Sequence, residues 1–369
     1  MIISLPKEIM PQEKRVALIP ETIKKLTSLG FKVKVQKDAG SSAGYTNQQY
    51  EEAGAEICED AAQTYKGADI ICKINAPLPQ EDSFLKKDMT VIAHFNALKN
   101  QDRTKEFAKK GLTCFALDLL PRISRAQSMD ILSSQSSLAG YQAVIKAAEK
   151  IDRAMPLMMT AAGTVPPAKV LILGAGVAGL QAIATAKRLG AQVFASDVRP
   201  QVKEQVESLG GKFLEVPIEE NLETEGGYAK ETSEEYQRKQ KELITQQLKQ
   251  TDIAITTALI PGKKAPILIT KEMIENMPLG SVIIDMAASE EGGNVEGSKP
   301  EKEVSYKGIK IIGAANLASE IATSASKLFS NNIYNFLLPM FQKEEQTLRF
   351  DFKDELIAKT CICKNGESK

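Results

Sequence analysis

The chain has 369 residues, of which 43% are hydrophobic and 25% are charged, and its 47 basic side chains balance its 47 acidic ones. General nucleic-acid binders and polybasic proteins at membrane surfaces typically carry an excess of basic side chains. The neutral balance of this chain therefore argues against both classes. The length is too great for one core of ordinary size, so two domains are expected. The N-terminal segment has its first charged side chain at Lys7 and contains no long apolar run. We therefore expect no signal peptide.

The first third of the chain alternates short apolar runs with amphipathic stretches. The candidate strands are IISL, KVKVQ, DIICKI, TVIAHF and TCFAL. Helical stretches lie between them, and PETIKKLTSLG ends at Gly30, a residue type that commonly follows the last turn of a helix. The alternation predicts an α/β fold in which helices cover both faces of a parallel sheet.

The stretch from residue 121 to 141 breaks this alternation. It reads PRISRAQSMDILSSQSSLAGY and precedes a helical run. Arg122, Arg125, Gln127 and Asp130 lie within nine residues, although the stretch has neither the alternation of a strand nor the apolar stripe of a core helix. Packing does not require this cluster, so it is a candidate functional loop.

Two further stretches do not fit. Residues 155 to 169, MPLMMTAAGTVPPAK, are more apolar than an ordinary surface loop, which indicates either a buried linker or a hairpin that buries itself on another subunit. Later, EGGYAKETSEEYQRKQKELITQQLKQ begins with a glycine pair and continues as a charged helix. That helix is either a solvated one or a hinged flap over a site.

A second set of candidate strands comes after the polar loop: KVLILG, QVFASD, KFLEV, DIAITTAL, SVIIDMAA and KIIGAAN. Six such strands are enough for a doubly wound sheet, so the prediction is two Rossmann-like doubly wound parallel-sheet domains with a cleft for the active site between them. The predicted domains are residues 1–136, completed by C-terminal helices in 319–369, and residues 137–318.

The stretch GAGVAG, from Gly174 to Gly179, matches G-x-G-x-x-G between an apolar strand and a helix that ends at Gly190. In this motif Gly174 permits the tight turn, Gly176 lets the backbone approach a pyrophosphate, and Gly179 lets the helix and strand pack closely. The motif in this context predicts a dinucleotide site.

The next strand ends in Asp197, where the acid that binds the adenine ribose belongs. A carboxylate there accepts hydrogen bonds from a 2′-hydroxyl and repels a 2′-phosphate by about 4 kcal/mol at ~4 Å and an effective dielectric constant of ~20. NAD(H) is therefore expected rather than NADP(H). Arg199 is either a salt-bridge partner at the rim or a contact to a 2′-phosphate.

Cysteine and histidine usage predicts no metal site. The cysteines, which show no metal-binding pattern and are expected to be reduced in a cytoplasmic protein, are Cys58, Cys72, Cys114, Cys361 and Cys363. His94 is the single histidine, which argues against His-based metal sites and Ser-His-Asp chemistry.

The polar loop, the segment MMTAAGTVPPAKVLILGAGVAGLQAIATAKRLGA and the later TDIAITTALIPGKKAP closely resemble the NAD(H)-binding domain of the proton-translocating NAD(P) transhydrogenases. The resemblance runs along essentially the whole chain. The opening KEIMPQEKRVALIPETIKKLTSLG is shared with the related alanine dehydrogenases, whereas RISRAQSMD is specific to the transhydrogenases. The lack of apolar spans matches the members in which this domain is a separate polypeptide.

The resemblance implies a set of site residues. Those at the nicotinamide end of the cleft are Arg122, Gln127, Asp130 and Ser133. Those that contact the rest of NAD(H) are Gly174, Gly176, Val177, Ala178, Gly179, Asp197, Val198, Arg199, Gly227, Tyr228, Gln240, Ala258 and Leu259. Hydride transfer between two nicotinamide rings needs apposition in a dry site rather than an acid or base, so polar groups that grip the ring suffice. Arg122 and Asp130 are expected to form an ion pair, and Gln127 to reach the partner's nucleotide.

The resemblance also implies partners: a homodimer joined by the hairpin at 155–169, a subunit that holds NADP(H), and a transmembrane subunit that couples hydride transfer to proton translocation. It places the chain peripherally on the inner face of the cytoplasmic membrane. The Gly-Gly-Tyr segment corresponds to a mobile loop of the family, which favours the flap interpretation.

Two alternatives stay open. Arg15 and Lys73 lie where alanine dehydrogenases keep cationic groups for their substrate, although the surroundings of His94 do not reproduce those of that family's proton shuttle. The third interpretation is an NAD(H)-sensing subunit without catalytic activity, which the single dinucleotide motif allows and which gives the polar loop no task.

Overall fold

The computed structural model describes residues 1–216, 233–260, 262–345, 347–364 and 366–368. Its contacts divide the chain into two compact units. Unit 1 comprises Met1–Gln135 and Ala318–Lys369, and unit 2 comprises Ser136–Leu317. The predicted domain boundaries at 136/137 and 318/319 stay a prediction.

The strands, in chain order, are β1 (Ile2–Leu5), β2 (Lys32–Gln36), β3 (Ala55–Cys58), β4 (Ile70–Asn75), β5 (Thr90–His94), β6 (Thr113–Ala116), β7 (Met158–Thr160), β8 (Gly163–Val165), β9 (Lys169–Leu173), β10 (Gln192–Ser196), β11 (Lys212–Phe213), β12 (Ile253–Thr256), β13 (Val282–Asp285), β14 (Glu303–Tyr306), β15 (Ile309–Gly313), β16 (Phe341–Gln342), β17 (Thr347–Leu348), β18 (Cys361–Lys364) and β19 (Glu367–Ser368).

The α-helices are α1 (Pro20–Ser28), α2 (Asn47–Glu52), α3 (Ala61–Tyr65), α4 (Gln101–Lys109), α5 (Ile131–Lys150), α6 (Val177–Arg188), α7 (Lys203–Ser208), α8 (Glu234–Leu248), α9 (Lys271–Ile274), α10 (Leu317–Glu320), α11 (Ala322–Leu337) and α12 (Glu355–Thr360).

Unit 1 is built on a sheet with the strand order β19-β18-β6-β5-β4-β1-β2-β3. The strands from β3 to β6 are parallel and have the doubly wound order 3-2-1-4-5-6. Each of the five candidate strands of the first third corresponds to a strand of this sheet. β3 was not predicted, because AEIC has only four residues and Glu56 interrupts its apolar run.

The C-terminal segment adds both a helix and strands to unit 1. α11 buries Phe329, Ile333 and Phe336, which recur at intervals of four and three residues and so share one face of the helix. The expectation that this segment is helical was incomplete, because β18 pairs antiparallel with β6 at the sheet edge. All five cysteines are buried, and Cys363 lies opposite Cys114 in this pairing.

Unit 2 repeats the doubly wound order in a second sheet, β11-β10-β9-β12-β13-β15-β14. The six predicted strands form its parallel part, so the predicted fold class is confirmed for both units. β14 is an additional antiparallel edge strand. Its sequence, EVSY, alternates between exposed and half-buried residues and gave no apolar signal.

The stretch at 155–169 forms a hairpin outside the two large sheets. β7 and β8 pair antiparallel in a two-stranded sheet of their own, and every residue of both strands is exposed. The buried-linker interpretation is therefore wrong for the single chain, because the apolar side chains of this hairpin face solvent.

The charged helix α8 buries Tyr236, Ile244 and Leu248, so one face of it belongs to the core of unit 2. Across the described residues, no helix is both long and apolar enough to cross a membrane. Within the same residues, no group of His, Cys, Asp and Glu is arranged to hold a metal ion.

Candidate dinucleotide-binding site

The glycine motif of unit 2 lies where the direction of strand succession reverses. β9 has β10 on one side and β12 on the other, and in such sheets the crevice beyond the strand ends at this point binds ligands. Gly174 comes directly after β9 with φ +100°, and the Thr257 hydroxyl after β12 donates to its carbonyl at 3.0 Å. The two strand ends are thereby tied together at the base of the crevice.

The three glycines of the motif lack a side chain for different reasons. A Cβ on Gly179 would lie 1.9 Å from the Gly174 carbonyl oxygen, and one on Gly174 would lie 2.5 Å from the Thr257 hydroxyl. Both positions are therefore fixed by packing inside unit 2. A Cβ on Gly176 would meet no atom of the described residues within 4 Å, so this glycine leaves open space that is suited to a ligand.

Gly176 is also the N-cap of α6, and its conformation is extended. The first turn of α6 contains no acidic side chain, while Lys187 and Arg188 lie in its last turn. The amide groups at the helix N-terminus thus keep their partial positive charge and are not capped by the side chain of the N-cap residue, which is the arrangement that binds phosphate groups.

Asp197 lies directly after β10 and faces the same turn. Its carboxylate accepts the Ala175 N–H at 2.7 Å and forms an ion pair with Arg199, whose Nη2 and Nε each lie 2.9 Å from a carboxylate oxygen. Of the two interpretations of Arg199, the salt bridge is present in the structure. The pair is neutral overall, so the predicted repulsion of a 2′-phosphate by an isolated Asp197 carboxylate does not apply here.

A clamp that the sequence analysis missed holds the loop after β12. The buried Asn294 side chain accepts the Ala258 N–H at 3.0 Å and donates to the Ala258 carbonyl at 2.9 Å. The buried Asp285 carboxylate accepts three backbone N–H groups of its own loop and the Thr256 hydroxyl. Asp285 could have been identified from the sequence, because an aspartate ends the otherwise apolar strand in SVIID.

The remaining predicted contacts in unit 2 vary in exposure. Val177 and Leu259 are exposed apolar side chains at 46% and 61%, which is unusual for residues so close to buried strands. Ala178, Val198 and Gln240 are half-buried. Gly227 and Tyr228 lie outside the described residues, so the flap stays a prediction.

Of the polar stretch at 121–141, residues 131–141 belong to α5, so the polar loop itself is residues 121–130. This loop belongs to unit 1 and has a buried and an exposed side. Ala126 and Met129 of its 3-10 turn (Ser124–Met129) are buried, whereas Arg122 and Gln127 are exposed. Asp130 precedes α5, where its carboxylate accepts the Ser133 N–H at 3.0 Å and the Ser133 hydroxyl at 2.5 Å. Asp130 therefore caps the N-terminus of α5 and fixes Ser133 beside it. The ion pair of Arg122 with Asp130 stays a prediction.

Arg15 and Lys73 lie among buried carboxylates of unit 1. Arg15 pairs with Glu13 at 2.6 Å, and Lys73 lies 2.9 Å from Glu81 and 3.5 Å from Glu8. Burial raises the pKa of Glu8 to about 7, although Lys73 opposes the shift. Each of these cations is thus matched by a carboxylate of the chain itself.

His94 ends β5 in the same unit. Burial lowers the pKa of His94 below its usual value. The neutral imidazole is accordingly favoured near pH 7.

Comparison with known proteins identifies the family. Residues 4–139 match the family model "Alanine dehydrogenase/PNT, N-terminal domain", and residues 143–369 match "Alanine dehydrogenase/PNT, C-terminal domain". The chain belongs to the alanine dehydrogenase/PNT family. Within this family it is 52% identical to a component of NAD(P) transhydrogenase subunit alpha from Rhodospirillum rubrum, over 99% of this chain and 97% of that protein.

Members of the alanine dehydrogenase/PNT family from both branches are related to the chain, at different distances. The alanine dehydrogenase of Bacillus subtilis is 31% identical over 80% of this chain and 72% of its own length. A solved transhydrogenase from Sinorhizobium meliloti superposes with a TM-score of 0.89 at 48% identity, covering all of both chains. An L-alanine dehydrogenase structure gives 0.82 at 26% identity, over 100% of this chain and 96% of that one. The resemblance to the transhydrogenases is confirmed.

Proposed function

We propose that this chain is the NAD(H)-binding catalytic subunit of an NAD(P) transhydrogenase and transfers hydride directly between NADH and the NADP⁺ of a partner subunit. The observation that carries the proposal is the turn at Gly176. No contact among the described residues requires a glycine there, the uncapped N-terminus of α6 begins beside it, and Asp197 lies at the end of the next strand. These features fit the pyrophosphate and the adenine ribose of a dinucleotide.

The residues of unit 2 would hold the adenosine half of NAD(H). The amides of the glycine turn bind the pyrophosphate, Asp197 accepts from the ribose, and the clamped Ala258 and Leu259 line the crevice after β12. When bound, NAD(H) supplies or accepts the hydride at its nicotinamide ring. These contacts provide binding energy away from the reacting carbon, which is available to orient the ring.

The polar loop would hold the nicotinamide end. Arg122 and Gln127 are exposed and carry the donors and acceptors that a carboxamide and a ribose need. The Ser133 hydroxyl donates a hydrogen bond to the Asp130 carboxylate, so the orientation of both side chains is fixed before a ligand binds. Because hydride transfer between two rings requires no acid or base, orientation and the exclusion of water are what these residues contribute.

We propose that a partner supplies the second nucleotide, because G-x-G-x-x-G follows β9 of unit 2, whereas PKEIM follows β1 of unit 1. We propose that this partner is an NADP(H)-binding subunit, and that a transmembrane subunit couples the transfer to proton translocation. The chain would then lie peripherally on the inner face of the cytoplasmic membrane. The exposed hairpin of β7 and β8 would join two copies of the chain into a homodimer.

An alanine dehydrogenase activity is the second candidate, because Arg15 and Lys73 lie where the resemblance implies cationic groups for the substrate, and because the chain is 31% identical to the enzyme of Bacillus subtilis. The pairing of both cations with carboxylates of the chain weighs against it, since a substrate carboxylate would have to compete with these internal partners. An NAD(H) sensor is the third candidate.

The deciding experiment traces deuterium from 4-deuterated NADH into NADP⁺, using the purified chain with and without an NADP(H)-binding transhydrogenase domain. Deuterated NADPH should form when both proteins are present, and each protein alone serves as the control. If no label moves in the mixture, the transhydrogenase function is wrong. Oxidation of NADH by pyruvate and ammonia would then indicate the dehydrogenase, and no turnover at all the sensor.

A further inference from the structure

The polar loop is attached to α11 through one backbone carbonyl. The Ser128 carbonyl accepts a hydrogen bond from Asn332 Nδ2 at 2.8 Å and another from Asn335 Nδ2 at 3.0 Å. Ser128 lies near the end of the 3-10 turn, where carbonyl groups lack a partner within the turn. The two asparagines, which are more than two hundred residues away in sequence, satisfy both lone pairs of this oxygen.

The orientation of the Asn332 amide is fixed from its other side. Its side-chain oxygen accepts a hydrogen bond from the Ser134 hydroxyl at 2.7 Å, and Asn332 is only 6% exposed. The amide nitrogen therefore points to Ser128, because the reverse orientation would bring the Asn332 and Ser128 oxygens together and lose the hydrogen bond between them. Ser134 belongs to the first turn of α5, so one asparagine connects the loop and the helix after it.

The fixed carbonyl is next to the exposed functional side chains. Gln127 directly precedes Ser128, and Asp130 comes two residues later. The buried Ala126 and Met129 set how deep the turn lies, but apolar contacts alone allow it to slide or rotate. Two directional bonds to one oxygen remove that freedom, so the direction of the Gln127 side chain depends on the asparagines.

A second connection between the loop and the C-terminal segment is weaker. Arg125 pairs with Asp354, the N-cap of α12, through two contacts. Both side chains are partly exposed, at 52% and 32%, and exposed ion pairs contribute little to stability. The amide pair is accordingly the contact that determines the position of the loop.

We infer that Asn332 and Asn335 are positioning residues for hydride transfer, which act on the nicotinamide ring through Ser128 and the side chains beside it. This inference rests on the proposed function. It assigns both residues a role through the Ser128 carbonyl, and it gives the C-terminal segment a role in the site. A displacement of reacting groups by roughly 1 Å lowers a rate by about a hundredfold, so a small rotation of the turn should slow the transfer.

The test uses the variants N332D and N335D, which keep the side-chain shape but replace the donor with an oxygen that repels the Ser128 carbonyl. N331D is the matched control, because Asn331 is on the same helix and no described hydrogen bond joins its side chain to the loop. Single-turnover hydride transfer to NADP⁺ in the complex, the NADH dissociation constant and the melting temperature are measured for each. Both variants should transfer hydride at least tenfold more slowly, with NADH affinity and melting temperature close to those of N331D.

The outcomes separate the two proposals. Absence of transfer by the wild-type complex would overturn the proposed function and this inference with it. Normal transfer by the wild type and by N335D would overturn the positioning role alone. Equal losses of rate, NADH affinity and melting temperature would mark a merely structural role and would overturn it as well. If the buried N332D does not fold, N335D decides, because Asn335 is half-buried and tolerates a charge better.

Discussion

Asp197 and Arg199 show how two residues can determine which dinucleotide is bound. An isolated carboxylate would select NAD(H) by repelling a 2′-phosphate, but here Arg199 neutralises it through two contacts. The guanidinium is the group that a 2′-phosphate would seek. Because Asp197 occupies this guanidinium, we expect it to withhold the cation from NADP(H), so that selectivity would depend on the pair and not on repulsion alone.

Replacing Asp197 with asparagine should shift the preference toward the phosphorylated cofactor. The variant keeps an acceptor for the Ala175 N–H but loses the charge that holds Arg199, and one unit charge at ~4 Å is worth about 4 kcal/mol at an effective dielectric constant of ~20. The ratio of NADPH to NADH affinity, from fluorescence titrations of the two reduced dinucleotides, should rise at least tenfold.

The double variant D197N/R199A is the control for this prediction. It lacks the freed guanidinium, so most of the gain in NADPH affinity should disappear. If the double variant binds NADPH as tightly as D197N does, Arg199 is not the phosphate acceptor and the pair argument fails.

At the scale of elements, two glycines of the motif that links β9 to α6 have different roles: Gly179 is required by packing, and Gly176 is proposed to be required by the ligand. Gly176 has φ −77°, which alanine adopts without strain, and its Cβ would meet no atom of the described residues. Gly179 packs its Cα against the Gly174 carbonyl, and a methyl group there would force α6 away from β9. The same substitution at the two positions therefore has different consequences.

G176A should weaken NADH binding at least tenfold while the melting temperature stays within about 2 °C of the wild type. G179A should lower both, since overpacking typically costs about 1–3 kcal/mol. Titration with NADH and thermal unfolding of the two variants check this. Wild-type affinity in G176A would mean that no pyrophosphate approaches this turn.

The strands with continuous apolar runs could be predicted from the sequence, and so could the turn that links β9 to α6. In each case the signal lies in consecutive residues of the chain. β3, β14 and β18 could not be predicted, since AEIC, EVSY and CICK are short and gain their structure from the strand beside them. The same distinction holds for the site. The glycines and Asp197 are local signals, whereas Asn294, Asn332 and Asn335 reach their partners only after distant segments fold together.

At the scale of the whole molecule, the parallel strands of the two units have the same order. The units differ in the segment that follows the first strand of each large sheet along the chain, β1 in unit 1 and β9 in unit 2. β9 leads into the glycine turn, and β1 leads into Pro6, Lys7 and Glu8, whose carboxylate accepts the Ile74 N–H at 2.7 Å. A repeated topology has therefore produced one dinucleotide turn and one buried charged cluster. Fold alone does not assign a second nucleotide to this chain.

The hairpin of β7 and β8 is the segment of the chain that a single copy does not explain. A two-stranded hairpin is at best marginally stable in water, and this one exposes Leu157 at 54%, Met158 at 45%, Met159 at 80% and Val165 at 41%. A second copy that covers these side chains would provide the missing packing, which is why we propose a homodimer.

The substitution M159D should therefore convert a dimer into monomers, because it places a charge in the apolar contact that the proposal requires. Its matched control is L279D, since Leu279 is equally exposed, at 81%, in the same unit but outside the hairpin. Sedimentation velocity should give twice the chain mass of 40.2 kDa for the wild type and L279D, and a single chain mass for M159D. A monomeric wild type, or an M159D dimer as tight as that of L279D, would overturn the proposal that the hairpin joins two copies. Because Met159 lies outside the two large sheets, its replacement should leave the melting of each unit nearly unchanged, which distinguishes dissociation from unfolding.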